Sequence, residues 1–181
     1  MLRSPLFLPQ VFGFVEMAAV GEKHPDLGPI LGTDEATIDS KGRILLSKKK
    51  RDRLGETFAV AIGERECICA YPLAKWQERL DQVNRYDPNN QGRQEYERLF
   101  YGSADDDISC DAQGRVVIPE KLRKAGKLKE KVLLVGCNNR LEIWDVDEYE
   151  KYLAKQNKEG QDRAEALESA YNKMMGVSTS Q

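Results

Sequence analysis

A chain of 181 residues, 40% hydrophobic and 32% charged, has room for one compact core or two small ones and excludes a large multidomain enzyme. Its formal net charge of −2 provides no global attraction to nucleic acid or to an anionic membrane, so any such binding depends on local clusters of Lys and Arg.

The first stretch, MLRSPLFLPQVFGFVEMAAV, is apolar with one early positive charge, but Pro5, Pro9, Gln10 and Glu16 interrupt it. Neither a secretion signal nor a membrane span is expected there. Met17 is a second candidate start, and the segment running through GEKHPDLGP reads as a flexible leader.

Beyond the leader the chain repeats itself. IDSKGRILLS, from Ile38 to Ser47, returns as CDAQGRVVIP from Cys110 to Pro119, 72 residues on. FAVAIGERECICAYPLAKWQERL from Phe58 aligns with KVLLVGCNNRLEIWDVDEYEKYL from Lys131, displaced by 73. Gly63 falls on Gly136, Ile68 on Leu141, Tyr71 on Trp144, Trp76 on Tyr149 and Leu80 on Leu153. So long a period is a domain duplication rather than a solenoid unit.

Each copy runs in the same order: a short strand into D-x-x-G-R, an apolar strand, a short basic helix, two strands and a longer helix. Phe58, Val60 and Ile62 alternate, which predicts a half-buried strand. Val132 to Val135 is continuously apolar, which suits a strand covered on both faces. Leu73, Trp76, Leu80 and Val83 form one helical stripe, matched by Val146, Tyr149 and Leu153. DPNNQG, Asp87 to Gly92, breaks the helix, and Tyr96, Leu99 and Phe100 resume helical spacing, so a helical hairpin joins the copies. After Leu153 the chain turns polar, which suits a solvated or partner-docking helix, and the final VSTSQ should fray.

Four cysteines, Cys67, Cys69, Cys110 and Cys137, include no C-x-x-C pair, and the single histidine, His24, is distant in sequence. No zinc site or other cofactor is expected. Cys67 and Cys69 share one strand face as small buried hydrophobes.

In each D-x-x-G-R, the Asp and Gly are explained by turn geometry: Asp39 and Asp111 accept backbone N–H groups two residues on, and Gly42 and Gly114 supply a positive φ. Arg43 and Arg115 are not required by the turn. Each either pairs internally with the Asp four residues earlier or offers its planar fork to a phosphate or guanine edge, and both roles are compatible. Basic residues cluster after each corner: Lys41, Lys48, Lys49, Lys50, Arg51 and Arg53 in the first copy, Lys121, Arg123, Lys124, Lys127, Lys129 and Lys131 in the second. No nucleophile is paired with a base and no Walker loop is present, so an enzyme is not expected.

DSKGR, YPLAKW, RLFYGSA, DAQGRVVIPEKLRKAGKL and VLLVGCNNRLEIWD, in that order, give the chain a strong resemblance to the MraZ family of bacterial regulators, among the AbrB-like DNA-binding proteins. It covers about residues 30 to 155. The fold it implies is α+β with a mainly β core: tandem AbrB-like swapped-hairpin β-barrel modules forming an intrachain pseudo-dimer, with flanking helices. The divisions are an extension over 1–30, module 1 over 31–77, a helical linker over 78–103, module 2 over 104–148, and a C-terminal helix and tail over 149–181. The function it implies is a cytoplasmic, nucleoid-associated, sequence-specific DNA-binding transcriptional regulator. It would bind short direct repeats in double-stranded promoter DNA as a homo-oligomeric ring and repress the division and cell wall gene cluster and its own promoter. No membrane or small-molecule substrate is implied. The DNA-contacting positions become Arg43 and Arg115, with Lys41 and Gln113 beside them, and the basic helices add Lys48, Lys49, Arg51, Lys121 and Arg123. An oligomeric scaffold that binds no DNA, and a barrel enzyme, are the alternatives. Ser47 stands where the family often has proline and remains able to cap the basic helix.

Overall fold

The computed structural model describes residues 24–156 and 162–176, so the expectations for the first stretch of the leader and for the final VSTSQ lie outside it. The elements are β1 (Ile30–Thr37), β2 (Arg43–Leu45), α1 (Lys48–Leu54), β3 (Thr57–Ile62), β4 (Ile68–Pro72), α2 (Leu73–Asn84), α3 (Gln91–Leu99), a 3-10 turn (Tyr101–Ser103), β5 (Asp105–Ser109), β6 (Arg115–Val117), α4 (Glu120–Ala125), β7 (Lys131–Asn138), β8 (Leu141–Asp145), α5 (Val146–Gln156) and α6 (Arg163–Met174). Among the described residues, no helix is long and apolar enough to cross a membrane.

Six strands form an antiparallel sheet in the order β1-β7-β8-β4-β3-β5. The order is symmetric about its centre when each strand is exchanged for its repeat counterpart. Each module lends its first strand to the other: β1 pairs with β7, and β5 with β3. The two modules are thus one swapped pseudo-dimer, with a pseudo-two-fold axis between β4 and β8. The strands after the two corners, β2 and β6, pair with each other as a separate ribbon.

The sheet is not a closed barrel. β1 and β5 remain its edges, because β2 and β6 are three residues each and reach their own hairpin partners through single bridges, Ile38 to Ile44 and Cys110 to Val116.

One core lies between the sheet and the ribbon with α1 and α4, and includes Ile44, Leu46, Phe58, Val60, Val116, Ile118, Leu122, Val132 and Leu134. The other face packs Ala59, Ala61, Trp76, Phe100 and Trp144 with Leu133, Val135 and the tyrosines of α3 and α5. Each fully buried large side chain contributes about 1.5–3 kcal/mol. β7 is covered on both faces as its apolar run required. β3 is too, contrary to the half-buried expectation: its alternate positions are Ala59 and Ala61, small enough to admit the aromatic layer above them.

Trp76, Phe100 and Tyr96 form an aromatic chain with ring centroids 5.6 and 5.3 Å apart, and the Arg79 guanidinium lies 4.8 Å from the Phe100 ring. Leu99, expected on this stripe, is exposed, since the turn at Tyr101 carries Phe100 and Tyr101 inward instead. On α5, Tyr152 rather than Leu153 meets Trp144, at 5.0 Å between centroids. Asn90 caps α3 by accepting the Arg93 N–H at 3.0 Å. Ser47 precedes α1 without capping it, because its hydroxyl donates to Asp34 at 2.9 Å. Residues 24–29, read as flexible leader, are docked: Asp26 pairs with Lys75 at 2.9 Å, and Arg53 donates to the Leu27 carbonyl.

Candidate nucleic-acid interface

The two D-x-x-G-R corners share their aspartate wiring and differ in one bond, which Arg115 Nη2 donates to Gln113 Oε1 and Arg43 lacks. Asp39 Oδ1 accepts the backbone N–H groups of Lys41 at 2.9 Å and Arg43 at 3.0 Å. Its Oδ2 accepts Arg43 Nε at 2.7 Å and Nη2 at 2.6 Å. Asp111 repeats this with Gln113 N at 3.0 Å, Arg115 N at 2.9 Å, Arg115 Nε at 2.8 Å and Nη2 at 2.7 Å. The Arg43 side chain, followed by its backbone N–H, lowers the Asp39 carboxyl to about 2, and the Arg115 backbone and side chain lower that of Asp111. Both carboxylates are therefore ionised at neutral pH, and each arginine is braced along one edge. Nη1 of Arg43 and of Arg115 has no hydrogen-bond partner among the described residues, and the two side chains are 25% and 33% exposed. Internal pairing and outward presentation coexist.

The ribbon gathers both arginines on one surface. Ile44 opposes Val116 and both are buried, so by strand alternation their neighbours turn outward. Arg43 stands across from Val117, and Leu45 across from Arg115. The outer face thus carries two arginines on a diagonal and two aliphatic side chains, Leu45 and Val117, 59% and 52% exposed. Leu46 N–H donates to the Gly114 carbonyl at 3.0 Å and Ile118 N–H to the Gly42 carbonyl at 3.1 Å, which places one corner at each end of the ribbon.

The basic helices divide into two groups. Arg51 and Arg123 turn inward, each against the corner of the other module. A Cβ added to Gly42, where φ is +76°, would lie 2.7 Å from Arg123 Cζ, and one added to Gly114, where φ is +81°, 2.6 Å from Arg51 Cζ. Arg123 Nε also donates to the Ile118 carbonyl at 3.0 Å. Lys50 is buried, with Nζ 3.1 Å from the Gly32 carbonyl and 3.2 Å from Asp34. Lys41, Gln113, Lys48, Lys49 and Lys121 are exposed, and Lys48 pairs with Asp52 at 2.8 Å. Leu45 and Val117 were not among the expected contact residues, although R-I-L and R-V-V each put the third residue on the arginine's face. Among the described residues, one group able to hold a metal ion, Cys67, Cys69 and Glu142, lies under the opposite face of the sheet.

Comparison with known proteins identifies the family. The family model for the MraZ protein, described as antitoxin-like, matches residues 30–98 and 103–169. A protein of Finegoldia magna named "Transcriptional regulator MraZ" is 35% identical over 64% of this chain and 80% of its own length. Relatives of the same name from Salinispora tropica and Thermobifida fusca are 34% and 38% identical, covering 76% and 70% of this chain and 96% and 87% of their own. These relatives carry the name of a regulator, not of an enzyme.

Proposed function

The chain belongs to the MraZ family, and on that premise we propose that it is a sequence-specific DNA-binding transcriptional regulator whose reading head is the β2–β6 ribbon. The observation that carries this is the placement of Arg43 and Arg115 on one exposed ribbon face, each braced by its own aspartate. A two-stranded ribbon fits the DNA major groove, where a guanidinium fork addresses guanine O6 and N7 and an aliphatic side chain meets the thymine methyl. Lys41 and Gln113 at the corners, and Lys48, Lys49 and Lys121 on the flanking helices, supply phosphate contacts. Arg51 and Arg123 act one step back, by holding the corners in shape. A single ribbon touches few phosphates, so one chain binds weakly; a homo-oligomeric ring engaging successive direct repeats gains roughly 10² to 10⁴ in avidity. Repression of the division and cell wall cluster, and of the regulator's own promoter, then follows from occlusion.

The test is a gel-shift salt series on DNA from the chain's own upstream region with the Arg43→Ala, Arg115→Ala double variant. Loss of the shift with unchanged oligomer size is the expected result. If the arginines bind phosphates, residual binding shows a log–log salt slope shallower by about 0.9 for each phosphate no longer neutralised. If they read bases, discrimination between specific and random DNA collapses instead. Binding as tight and as selective as in the unaltered protein removes the ribbon from the function.

A further inference from the structure

We propose that Cys67, Cys69 and Glu142 form a site for one thiophilic divalent metal ion, zinc by preference, on the pseudo-two-fold axis at the centre of the sheet. Cys69 is the second residue of β4, and Cys67 lies in the bend immediately before the strand. Their sulfurs stand 3.8 Å apart. Two thiolates bound tetrahedrally to zinc at about 2.3 Å are separated by about 3.8 Å, so the pair already has the spacing of one edge of the coordination tetrahedron. Cys69 is directly opposite Glu142 in the β4–β8 pairing, and the three donor atoms all lie within 4.8 Å of one another. All three residues are buried, at 2%, 3% and 6% exposure, where the low dielectric strengthens the attraction between anionic ligands and a cation.

The surroundings suit a cation. Glu142 Oε1 accepts both Nε and Nη2 of Arg140, at 3.0 and 2.6 Å, which fills its lone pairs. Oε2 accepts the Trp144 indole N–H, at 3.0 Å, and keeps a lone pair for a metal. These donors orient the carboxylate as outer-shell partners orient metal ligands. Two thiolates, a carboxylate, a divalent ion and the Arg140 guanidinium sum to zero charge, as a buried cluster requires. Of the other two guanidinium groups at the cavity, Arg79 has its own acidic partner, Glu64, at 2.8 Å, and Arg65 is exposed, 5.6 Å from the centroid of the Tyr152 ring.

A cavity of about 70 Å³ adjoins the three residues, sufficient for a water as fourth ligand. Gly63 keeps it open, since a Cβ there would come 2.6 Å from Cys69 Sγ. The second copy carries Arg140, Glu142 and Trp144 where the first carries Cys67, Cys69 and Tyr71. Divergence between the repeats has thus set a soft donor pair against an oriented carboxylate, so one ion joins the two modules.

Cobalt(II) titration of the full-length protein, purified under reducing conditions, tests this. The expected result is a thiolate-to-cobalt charge-transfer band and the visible bands of tetrahedral cobalt, saturating at one ion per chain and bleached by zinc. Cys69→Ser loses the charge-transfer band and Cys110→Ser retains it. Trp144→Phe, which keeps an aromatic ring but removes the indole N–H, weakens zinc binding about 10- to 100-fold. Zinc raises the thermal midpoint of the unaltered protein and not that of Cys69→Ser. A titration of the unaltered protein that yields no charge-transfer band overturns the proposal, whatever the variants do, and so does an undiminished band in Cys67→Ser, Cys69→Ser.

Discussion

Asp39 spends both carboxylate oxygens on one turn, bracing the backbone through Oδ1 and the arginine through Oδ2, and Asp111 does the same. The glycine of the corner is required on two counts, a left-handed backbone and the guanidinium of the opposite module lying against it. These two demands are separable. Gly42→Ala is expected to cost about 3 kcal/mol in urea unfolding, the upper end for a strained backbone position. In an Arg123→Ala background the cost shrinks to the roughly 1–2 kcal/mol of the left-handed conformation alone. Equal costs in both backgrounds would show that Arg123 does not press on the corner.

The ribbon's two faces have opposite duties. Ile44 and Val116 seal the core beneath it, whereas Leu45 and Val117 face out on a surface where exposed aliphatic side chains add nothing to folding. Ile44→Ala should therefore lower stability by about 2–5 kcal/mol. Leu45→Ser with Val117→Ser should change stability by no more than about 0.5 kcal/mol per site, yet weaken DNA binding in the same gel-shift assay. A large loss of stability from the outward pair, read by denaturant melts, would mean that these side chains belong to the core. The helices show a similar division within a single turn: Lys48 and Lys49 face solvent while Lys50 is buried against β1.

Across the whole molecule, neither module has a complete sheet without the other, because β1 completes the second and β5 the first. Their cores are continuous through the ribbon and the central β4–β8 pair. Unfolding is accordingly expected as one cooperative transition. The two tryptophans report on the two copies, Trp76 on the first and Trp144 on the second, so Trp76→Phe and Trp144→Phe each leave one reporter. Coincident denaturation midpoints for the two reporters, each compared with far-ultraviolet circular dichroism of the same variant, are the expected outcome; separated transitions within a variant would mean that the modules fold independently.

The duplication, the order of elements in each copy, both turn chemistries and the arginines were legible in the sequence, because each is a local matter: a period of apolar residues, an aspartate two residues before an N–H, a glycine where φ is positive. The exchange of strands is not local, and only family resemblance pointed to it; the open sheet corrected the barrel that came with it. The fate of the basic residues was hidden for the same reason. Lys48 and Lys50, or Arg51 and Arg53, are chemically alike in a string of letters, and only packing decides which cation meets solvent and which is drawn inward by a carbonyl, a carboxylate or the glycine of the opposite corner. Cys-x-Cys lacks the spacing of a metal motif, and its acidic neighbour lies far along the chain; β4 and β8 bring them together because the pseudo-two-fold axis passes between Cys69 and Glu142. Short-range chemistry set the parts, and the long-range pairing of one repeat with the other set what each part faces.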